Sequence, residues 1–346
     1  MNNPLNVALI GCGGIAKSHA QAIQQVEGAR LVATVDIVAQ RAEALAADYD
    51  AIQPYTTYQD ALSDPAVHVA IICLPHHLHA EVAVAAAEAG KHVLCEKPMA
   101  TTLAQVDGML EAADAAGVTL MVGQVLRFRE ANILARGLLR EGPIGQPRHL
   151  IRRRYHHIRS YPSAPWSRDL EKAGGWVLYG FGSHEVDMIL WLLDTQAERV
   201  YAEGTKLNRH WQDYDEIAIQ MRLANGVMAT LNLSINCHTE AWDTVIMGDG
   251  GSMLVTNEEV VVNGEATPVP MNPSGGFVPQ LAEFVSAVRE GWEPEASGRD
   301  VRRTMAVLEA AKVSLATQEL IRPADLGSER ISQYDVKTSS VVDNLA

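Results

Sequence analysis

A glycine-rich hexapeptide directly after a short apolar run constrains this chain more than any other stretch. Residues 5–10 read LNVALI, and the next six read GCGGIA, with Gly11, Gly13 and Ala16 at the spacing GxGxxA. There the first glycine permits a tight turn, the second lets backbone approach a pyrophosphate, and a small third residue lets helix and strand pack closely. The pattern predicts a strand–turn–helix that binds a dinucleotide. A turn with only a structural role is the alternative.

The residues around this turn extend the prediction. Gly14 and Ile15 complete the loop at the start of a helix, whose free N–H groups and dipole favour a phosphate. Asp36 ends the second apolar run, where a carboxylate accepts hydrogen bonds from an adenosine ribose and repels a 2′-phosphate. This favours NAD, although Arg41, one helical turn later, softens the discrimination and leaves NADP open. The alternative is that Asp36 only caps the next helix.

Apolar runs and helix-like stretches alternate through the first part of the chain. HVAIICL (68–74) and KHVLCEKP (from 91), for example, flank an alanine-rich helical pattern. The alternation predicts an α/β fold whose N-terminal unit, residues 1–124, is a doubly wound parallel sheet. Longer strand-like runs, among them DEIAIQMRL and GVMATLNLSIN, predict a second α/β domain with an open, mainly antiparallel sheet over residues 125–322. A polar tail is expected over 323–346.

The composition argues against several classes of function. The chain has 346 residues, enough for two domains, and its net charge of −14 argues against a nucleic-acid partner. No apolar run reaches the ~20 residues of a membrane span, and the N-terminus lacks a secretory pattern, so no membrane partner is expected. The four cysteines are scattered without a CxxC pair. We therefore expect a cytoplasmic protein without a cysteine zinc site.

Three motifs together resemble one family of enzymes. GCGGIA, the stretch LPHHLHAEVAVAAAEAGKHVLCEKPMA (74–100) and GSHEVD (182–187) look like the glucose–fructose oxidoreductase, inositol dehydrogenase and rhizopine-catabolism family, Gfo/Idh/MocA. The resemblance covers residues 5–322 approximately. It implies a Rossmann domain followed by an open-sheet domain, and oxidation or reduction of a sugar, polyol or related hydroxyl compound with NAD(P).

The resemblance also implies two catalytic residues. The lysine of Glu-Lys-Pro, here Lys97, reaches the nicotinamide ribose and the reacting hydroxyl in the family, and the active-site histidine corresponds to His184. The residues support this independently, because Lys97 lies at the carboxyl end of a parallel strand, where such sheets bind ligands. A histidine has the ordinary pKa of a general base. An exposed surface lysine and a buried core histidine are the alternatives.

Two positions depart from the family pattern. The family's aspartate one helical turn before the histidine corresponds to Gly180, and its usual glycine before that corresponds to Trp176. Three arrangements would keep the chemistry: Lys97 as sole base, His184 with Asp187 or a water, or the Tyr179 hydroxyl; we rank Lys97 with His184 first. The missing carboxylate also leaves room for a bulkier substrate such as a glycoside, with Trp176 as an aromatic face.

Further residues are predicted to line the cofactor and substrate sites. Pro75 and His79 belong to a loop that the resemblance places beside the cofactor, and Leu74, Glu96 and Gln124 are expected there too. His76, His77 and His79 lack a third-ligand pattern, so no metal is expected. In RRRYHHIR (152–159), strand alternation places Arg152, Arg154 and His156 on one face. The predicted substrate contacts are Lys97, Arg127, Arg154, His156, Trp166, Arg168, Trp176, Tyr179, His184 and Asp187, with His238 and Trp242 as weaker candidates.

The sequence therefore favours an NAD(P)-dependent sugar or polyol dehydrogenase. A glycoside-cleaving enzyme that uses transient oxidation keeps the cofactor and changes the reaction. A non-catalytic sugar or cofactor sensor is the third hypothesis, supported only by the missing aspartate. Because an open sheet needs its outer face covered, a homodimer or homotetramer through the second domain is expected.

Overall fold

The computed structural model describes residues 3–158, 164–208, 211, 213–270 and 272–326. Two sheets organise this part of the chain, and short connections join most of their elements. The tail predicted from residue 323 lies outside the described residues beyond Leu326. No helix in these ranges combines the length and the hydropathy that crossing a bilayer would require.

The first sheet is the parallel, doubly wound sheet that the sequence predicts. Its six strands run in the order β3-β2-β1-β4-β5-β6, and every pair is parallel. The strands are β1 (Leu5–Ile10), β2 (Ala29–Val35), β3 (Gln53–Tyr55), β4 (Val69–Ile72), β5 (His92–Cys95) and β6 (Leu120–Val122). The sequence reading missed β3, because three residues without an apolar run carry no strand pattern.

Helices cover both faces of this sheet, which is why its central strands are apolar on both sides. All four residues of β4 are buried. Thr102 begins one helix by accepting a hydrogen bond from the Gln105 N–H, and Gly117 ends it in the left-handed region, at φ 65°. The helices are α1 (Gly14–Gln25), α2 (Ala39–Asp48), α3 (Tyr58–Ser63), α4 (His79–Glu88) and α5 (Leu103–Ala116).

The second sheet is open and mainly antiparallel, as predicted. Its eight strands run in the order β14-β13-β12-β11-β7-β10-β9-β8, and only β7 and β10 pair in parallel. They are β7 (Pro147–His157), β8 (Ala197–Thr205), β9 (Glu216–Leu223), β10 (Met228–Ser234), β11 (Asn236–Gly248), β12 (Ser252–Val255), β13 (Glu259–Val262) and β14 (Glu265–Pro268). The ANG step at 224–226 forms the predicted hairpin turn, with Gly226 at φ 84°.

Five further helices in the described part of the chain pack on the second sheet or connect it to the first. They are α6 (Glu130–Glu141), α7 (Leu170–Ala173), α8 (Gly182–Leu192), α9 (Phe277–Glu290) and α10 (Gly298–Thr317). α10 packs on β8 and α8 and also on α5, while α9 packs on α1. Arg302 on α10 donates two hydrogen bonds to Asp107 on α5, at 2.6 and 3.0 Å. These contacts hold the carboxyl ends of the first sheet against the inner face of the second.

Candidate active site

The glycine turn has the geometry that a dinucleotide needs. Gly11 follows β1 at φ 94°, and a Cβ there would lie 2.3 Å from the Cys73 carbonyl oxygen, so only glycine fits. Around Gly13 and Gly14, by contrast, a Cβ would meet nothing within 4 Å. Gly13 starts α1 without any side-chain cap. The first N–H groups of α1 are therefore available to a phosphate, and Ile15, 40 % exposed, lies beside them.

Asp36 is fixed beside this turn. One carboxylate oxygen accepts the Cys12 N–H at 3.1 Å and the other accepts the Val38 N–H at 2.9 Å. The carboxylate is partly exposed and keeps further acceptor capacity for ribose hydroxyls. Arg41 is exposed on the first turn of α2, so it remains placed to offset the charge of Asp36. The residues present fit an adenine dinucleotide.

Lys97 connects the two sheets. It lies just after the end of β5, and its Nζ donates a hydrogen bond to the Gly180 carbonyl oxygen at 2.9 Å. Burial, aided by the charge of Arg154 and opposed by the charges of Glu96 and Glu185, lowers the pKa of Lys97 to about 8. An amine in this state exchanges a proton near neutral pH, which an ordinary lysine does not.

Glu96 supports the lysine. It is 6 % exposed, and its Oε1 lies 2.8 Å from His19 Nε2. Burial would raise the pKa of Glu96, but the bond to His19 and the charge of Lys97 lower it overall. A Cβ on Gly123 would approach Glu96 Oε1 to 2.9 Å, so glycine is needed there. The carboxylate oxygens contact His19 and the Lys97 N–H, and the predicted cofactor contact of Glu96 stays a prediction.

His184 lies in the first turn of α8 with a defined tautomer. Its Nδ1 is 3.2 Å from Gln124 Oε1, and Gln124 Nε2 donates to the Ser183 carbonyl oxygen at 3.3 Å. The amide oxygen can only accept, so His184 Nδ1 carries the proton and Nε2 is the basic nitrogen. Burial lowers the pKa of His184 well below its ordinary value, and four nearby cations lower it further. Gln124, 1 % exposed, positions the histidine, and its predicted cofactor contact stays a prediction.

Arg127 and Asp187 form a buried ion pair, which corrects two predictions. Arg127 donates from Nε and Nη2 to both oxygens of Asp187, at 2.7 and 2.6 Å, and Thr304 also donates to Asp187. The two residues are 2 % and 1 % exposed. Asp187 therefore does not orient His184, and Arg127 does not reach a substrate. The pair joins the segment after β6 to α8 and α10.

Two other predicted contacts are core residues. Tyr179 is fully buried, its ring packs against Gly174, and burial followed by the charge of Glu309 raises its pKa. It leaves no surface for a substrate, so the hydroxyl does not replace the missing carboxylate. His79 is fully buried as well, and its ring nitrogens lie 2.7 and 2.8 Å from the Pro98 and Leu74 carbonyl oxygens. It ties two loops together, while Leu74 and Pro75 stay partly exposed at the end of β4.

Trp176 occupies the space beside Gly180. Residues Trp176–Phe181 form a single wide helical turn before α8, and a Cβ on Gly180 would meet the Trp176 indole at 3.7 Å. The indole therefore lies in ordinary contact distance of the place where the family's carboxylate side chain would begin. The glycoside hypothesis stays a prediction.

Aromatic rings form one wall of the site. Trp176 stacks parallel to the His76 ring, with centroids 6.3 Å apart, and Trp166 meets His76 edge-on at 4.7 Å. His76 Nδ1 also lies 2.8 Å from the Ala173 carbonyl oxygen, which fixes the orientation of the ring. Among the described residues, no cluster of three or more His, Cys, Asp or Glu could hold a metal ion. Arg168 is exposed on the short turn that carries Trp166.

Charged side chains form a second wall, which is joined to the aromatic wall at Phe181, because this ring contacts both Trp176 and Arg154. Glu185, fully buried next to His184 in the chain, accepts from Arg152 Nε at 2.5 Å, Arg154 Nη1 at 2.9 Å and Trp242 Nε1 at 3.2 Å. The predicted alternation of β7 is confirmed, because Arg153 pairs instead with Asp243 across the neighbouring strand. His156 follows on the inner face, 5.9 Å from the Phe181 ring.

Comparison with known proteins finds relatives that match both parts of the chain. Residues 5–124 match the description "Oxidoreductase family, NAD-binding Rossmann fold" of GFO_IDH_MocA, and residues 133–254 match "GFO/IDH/MocA C-terminal domain". The inositol 2-dehydrogenase of Salmonella typhimurium is 31% identical over 240 residues, which cover 67% of this chain and 68% of that protein. The chain belongs to the Gfo/Idh/MocA family.

Other members of the family are similar along almost the whole chain. The myo-inositol 2-dehydrogenase of Thermotoga maritima is 26% identical over 340 residues, 92% of this chain and 98% of that protein. A crystal structure of an Agrobacterium radiobacter oxidoreductase in complex with NAD+, L-tartaric acid and magnesium has a TM-score of 0.86 at 20% identity, covering 93% of this chain and 99% of that one. This last likeness shows the shared fold. The first sheet of this Gfo/Idh/MocA protein is thus an NAD-binding Rossmann unit.

Sequence reasoning missed several residues that the fold brings to the site. Glu185 was read as part of a motif and Trp242 only as a weak candidate, and Phe181 and Arg129 were not singled out. Arg129 and Arg154 lie over the Trp242 ring, at 4.8 and 4.6 Å from its centroid. Among these, only Glu185 had a local signal, because it neighbours His184 in the chain.

Proposed function

We propose that this chain is an NAD-linked oxidoreductase that transfers hydride between nicotinamide and the carbinol carbon of a sugar, polyol or related hydroxyl compound. The observation that carries the proposal is the placement of Lys97, whose amine has a pKa of about 8 and joins the carboxyl edge of the Rossmann sheet to Gly180. The inositol dehydrogenases among the relatives support the substrate class.

The cofactor site is assigned to residues that remain accessible. The turn from Gly11 to Ile15 would hold the pyrophosphate, Asp36 the adenosine ribose, and Leu74 and Pro75 the face towards the nicotinamide. The bound nicotinamide supplies the hydride acceptor for oxidation and the donor for reduction. Asp36 favours NAD, and Arg41 is the residue through which NADP would be tolerated.

Lys97 and His184 divide the work on the hydroxyl proton. The neutral amine of Lys97 takes the proton as the carbon is oxidised, and returns it in the reverse direction. The Nε2 atom of His184, which is unprotonated because Gln124 fixes the proton on Nδ1, then accepts a hydrogen bond from the Lys97 ammonium. Trp166, Trp176, Arg154, His156 and Arg168 are proposed to surround the rest of the substrate.

A cofactor-linked substrate screen tests the function. Purified protein is mixed with a panel of sugars, inositols, sugar acids and glycosides, with NAD+ and with NADP+, and the absorbance of the reduced nicotinamide is followed. Net NADH formation that disappears in Lys97→Ala is the expected result. Free sugar released from a glycoside without net reduction of the nicotinamide would indicate glycoside cleavage. A biological effect of the protein that Lys97→Ala leaves unchanged would indicate a sensor. Either result contradicts the proposal.

The assembly and location of the protein are part of the proposal. We propose that the chain divides into two domains near residue 124, that the protein is cytoplasmic, and that it forms a homodimer or homotetramer. In the described part of the chain, α8 and α10 cover one face of the second sheet. The outer face carries Tyr155, Tyr201 and the 46 % exposed Met228 without a covering helix among the described residues. Light scattering on the purified protein would test this, and a monomer at micromolar concentration would contradict it.

A further inference from the structure

We propose that the substrate carries a carboxylate and that Arg154 binds it. The inference rests on the proposed oxidoreductase function and names the substrate class within it, a hydroxy acid of sugar type. Four observations on the charged wall carry the argument: the position of Arg154, its fixed orientation, its open hydrogen-bonding edge and the excess of positive charge around it.

Arg154 is part of the same wall as the reacting groups. Its guanidinium lies over the Phe181 ring, 4.2 Å from the centroid, and Phe181 directly follows Gly180, whose carbonyl holds Lys97 Nζ. On the other side, its partner Glu185 directly follows His184. The side chain is 15% exposed, so it is accessible from the cleft while most of its length is buried. An anion bound here lies beside the two groups that handle the hydroxyl proton.

The guanidinium of Arg154 is held in one plane. It packs between the rings of Phe181 and Trp242, at 4.2 and 4.6 Å from their centroids. Its Nε donates to His156 Nε2 at 3.3 Å, and its Nη1 donates to Glu185 Oε1 at 2.9 Å. No residue in the described ranges accepts from Nη2. The remaining N–H groups of the guanidinium lie along this fixed edge. A planar carboxylate can accept parallel hydrogen bonds from such an edge.

The wall has more cations than the carboxylates near them can neutralise. Arg152 and Arg154 share the single charge of Glu185, which leaves one positive charge. Arg129 bonds to the Gly275 carbonyl and the Asn257 side chain. Glu185 and Glu130 act on its charge, but no carboxylate of the described residues lies within salt-bridge distance, so Arg129 adds a second, only partly offset, positive charge. The four charged groups that most affect His184 are Lys97, Arg154, Arg129 and Arg152, all of them cations. Such a partly buried excess is stabilised when the ligand supplies the anion.

Matched pairs of compounds test this inference by calorimetry. The protein is first loaded with NADH, and D-glucuronate, D-galacturonate and D-gluconate are then titrated into it. Their affinities are compared with those of the neutral counterparts D-glucose, D-galactose and D-glucitol. D-glucose 6-phosphate distinguishes a phosphate from a carboxylate. At least one acid is expected to bind about tenfold or more tightly than its neutral counterpart. If no acid outcompetes its neutral counterpart, or if the phosphate binds best, the inference is wrong.

Two arginines on opposite faces of one strand provide the matched variants. Arg154→Gln is expected to reduce the acid-to-neutral ratio of affinities, and of kcat/KM, by about 10- to 100-fold, because a charge-assisted pair is lost. Arg153→Gln removes an equal charge from the outer face and should leave the ratio unchanged. Arg154→Lys keeps the charge and should recover part of the ratio. Equal ratios in the Arg154→Gln and Arg153→Gln variants would overturn the assignment.

Two controls separate this inference from the proposed function and from misfolding. Loss of NADH binding in the wild type would contradict the proposed function itself, whereas normal NADH binding without acid preference contradicts only the carboxylate. Each variant is checked by thermal unfolding, because Glu185 loses a partner in Arg154→Gln. If that variant does not fold, the affinity of the wild-type protein for the acid is measured from low to high salt instead. This affinity should fall as salt screens the charges, and an affinity independent of salt overturns the inference.

Discussion

The wall of the active site that faces the cofactor and the wall that faces the substrate are built in opposite ways. The cofactor wall is made of backbone: glycine turns, a helix N-terminus and a carboxylate held by two N–H groups, all at the ends of neighbouring parallel strands. The substrate wall is made of long side chains from β7, β11, α8 and the turn before α8. The first is fixed by local conformation, and the second by contacts between distant residues.

This contrast indicates which parts of the site can change during evolution. The backbone cradle admits no side chain at Gly11, since a Cβ there would clash with the Cys73 carbonyl, whereas Gly13 and Gly14 have open space around them. A side-chain wall changes specificity through single substitutions that leave the fold intact, provided its buried charges stay paired. Lys97 belongs to the first wall by position and to the second by its bond to Gly180.

The largest expected effect comes from removing the residue that joins both walls. Lys97→Ala should lower kcat by about 10²- to 10⁴-fold, because no other group of comparable pKa reaches the hydroxyl. NADH affinity should change far less, which calorimetry checks. Lys312→Ala, an exposed lysine on α10, is the control and should behave as wild type. A loss of both kcat and NADH binding to the same extent would show that Lys97 acts only on the cofactor.

The next effect distinguishes the substrate wall from the core behind it. Arg127→Leu leaves Asp187 buried without its partner and should reduce the free energy of unfolding by about 3–5 kcal/mol. Arg148→Leu breaks an exposed pair with Asp249 and should leave the free energy of unfolding nearly unchanged. Denaturant unfolding measures both. If Arg127→Leu is as stable as the wild type but has a raised KM, Arg127 contacts the substrate and the assignment to the core is wrong.

A smaller effect tests the packing of Trp176 against Gly180. Gly180→Ala should be nearly neutral, since its Cβ would make ordinary contact with the indole at 3.7 Å. Gly180→Asp must displace that ring and should cost about 1–3 kcal/mol of stability. Trp176→Ala in the same chain should recover most of this cost, which a double-mutant cycle measures. Additive costs would mean that the two positions do not compensate each other.

The smallest effect is a dependence on pH. For alcohol oxidation Lys97 must be neutral, and its pKa is lowered to about 8, so kcat/KM should fall about tenfold per pH unit below 8 and level off above it. The pKa of His184 is lowered well below 6.5, so it stays neutral over the same range and adds no second inflection. A stopped-flow pH profile would show this. A profile controlled by a group near pH 6.5 would contradict the assignment of roles.

The sequence revealed the backbone wall because its signals are local. The glycine spacing, each apolar strand and Asp36 at the end of its strand are each visible within a few consecutive residues. Even the missing side chain at Gly180 was apparent. What lies beside that space was not, because the indole of Trp176 contacts it from a turn without a regular helical period.

The substrate wall could not be read because its partners are distant in the chain. Asp187 lies three residues after His184, which suggested that the two side chains meet. The carboxylate is instead bound by Arg127, 60 residues earlier, because a buried arginine needs a buried acid. Glu185 and Trp242 are brought together across 57 residues in the same way. Spacing predicts which positions are neighbours, but charge burial decides which of them pair.

The cofactor cradle is the basis of this account, and calorimetry of nucleotide binding tests it most directly. NADH titrated into the wild-type protein should give one saturable binding event per chain. Gly11→Ala should abolish it, because the Cβ collides with the Cys73 carbonyl, whereas Gly137→Ala in the middle of α6, where a Cβ meets nothing within 4 Å, should retain it. If the wild type shows no heat with either NADH or NAD+, or if Gly11→Ala binds normally, the account is contradicted.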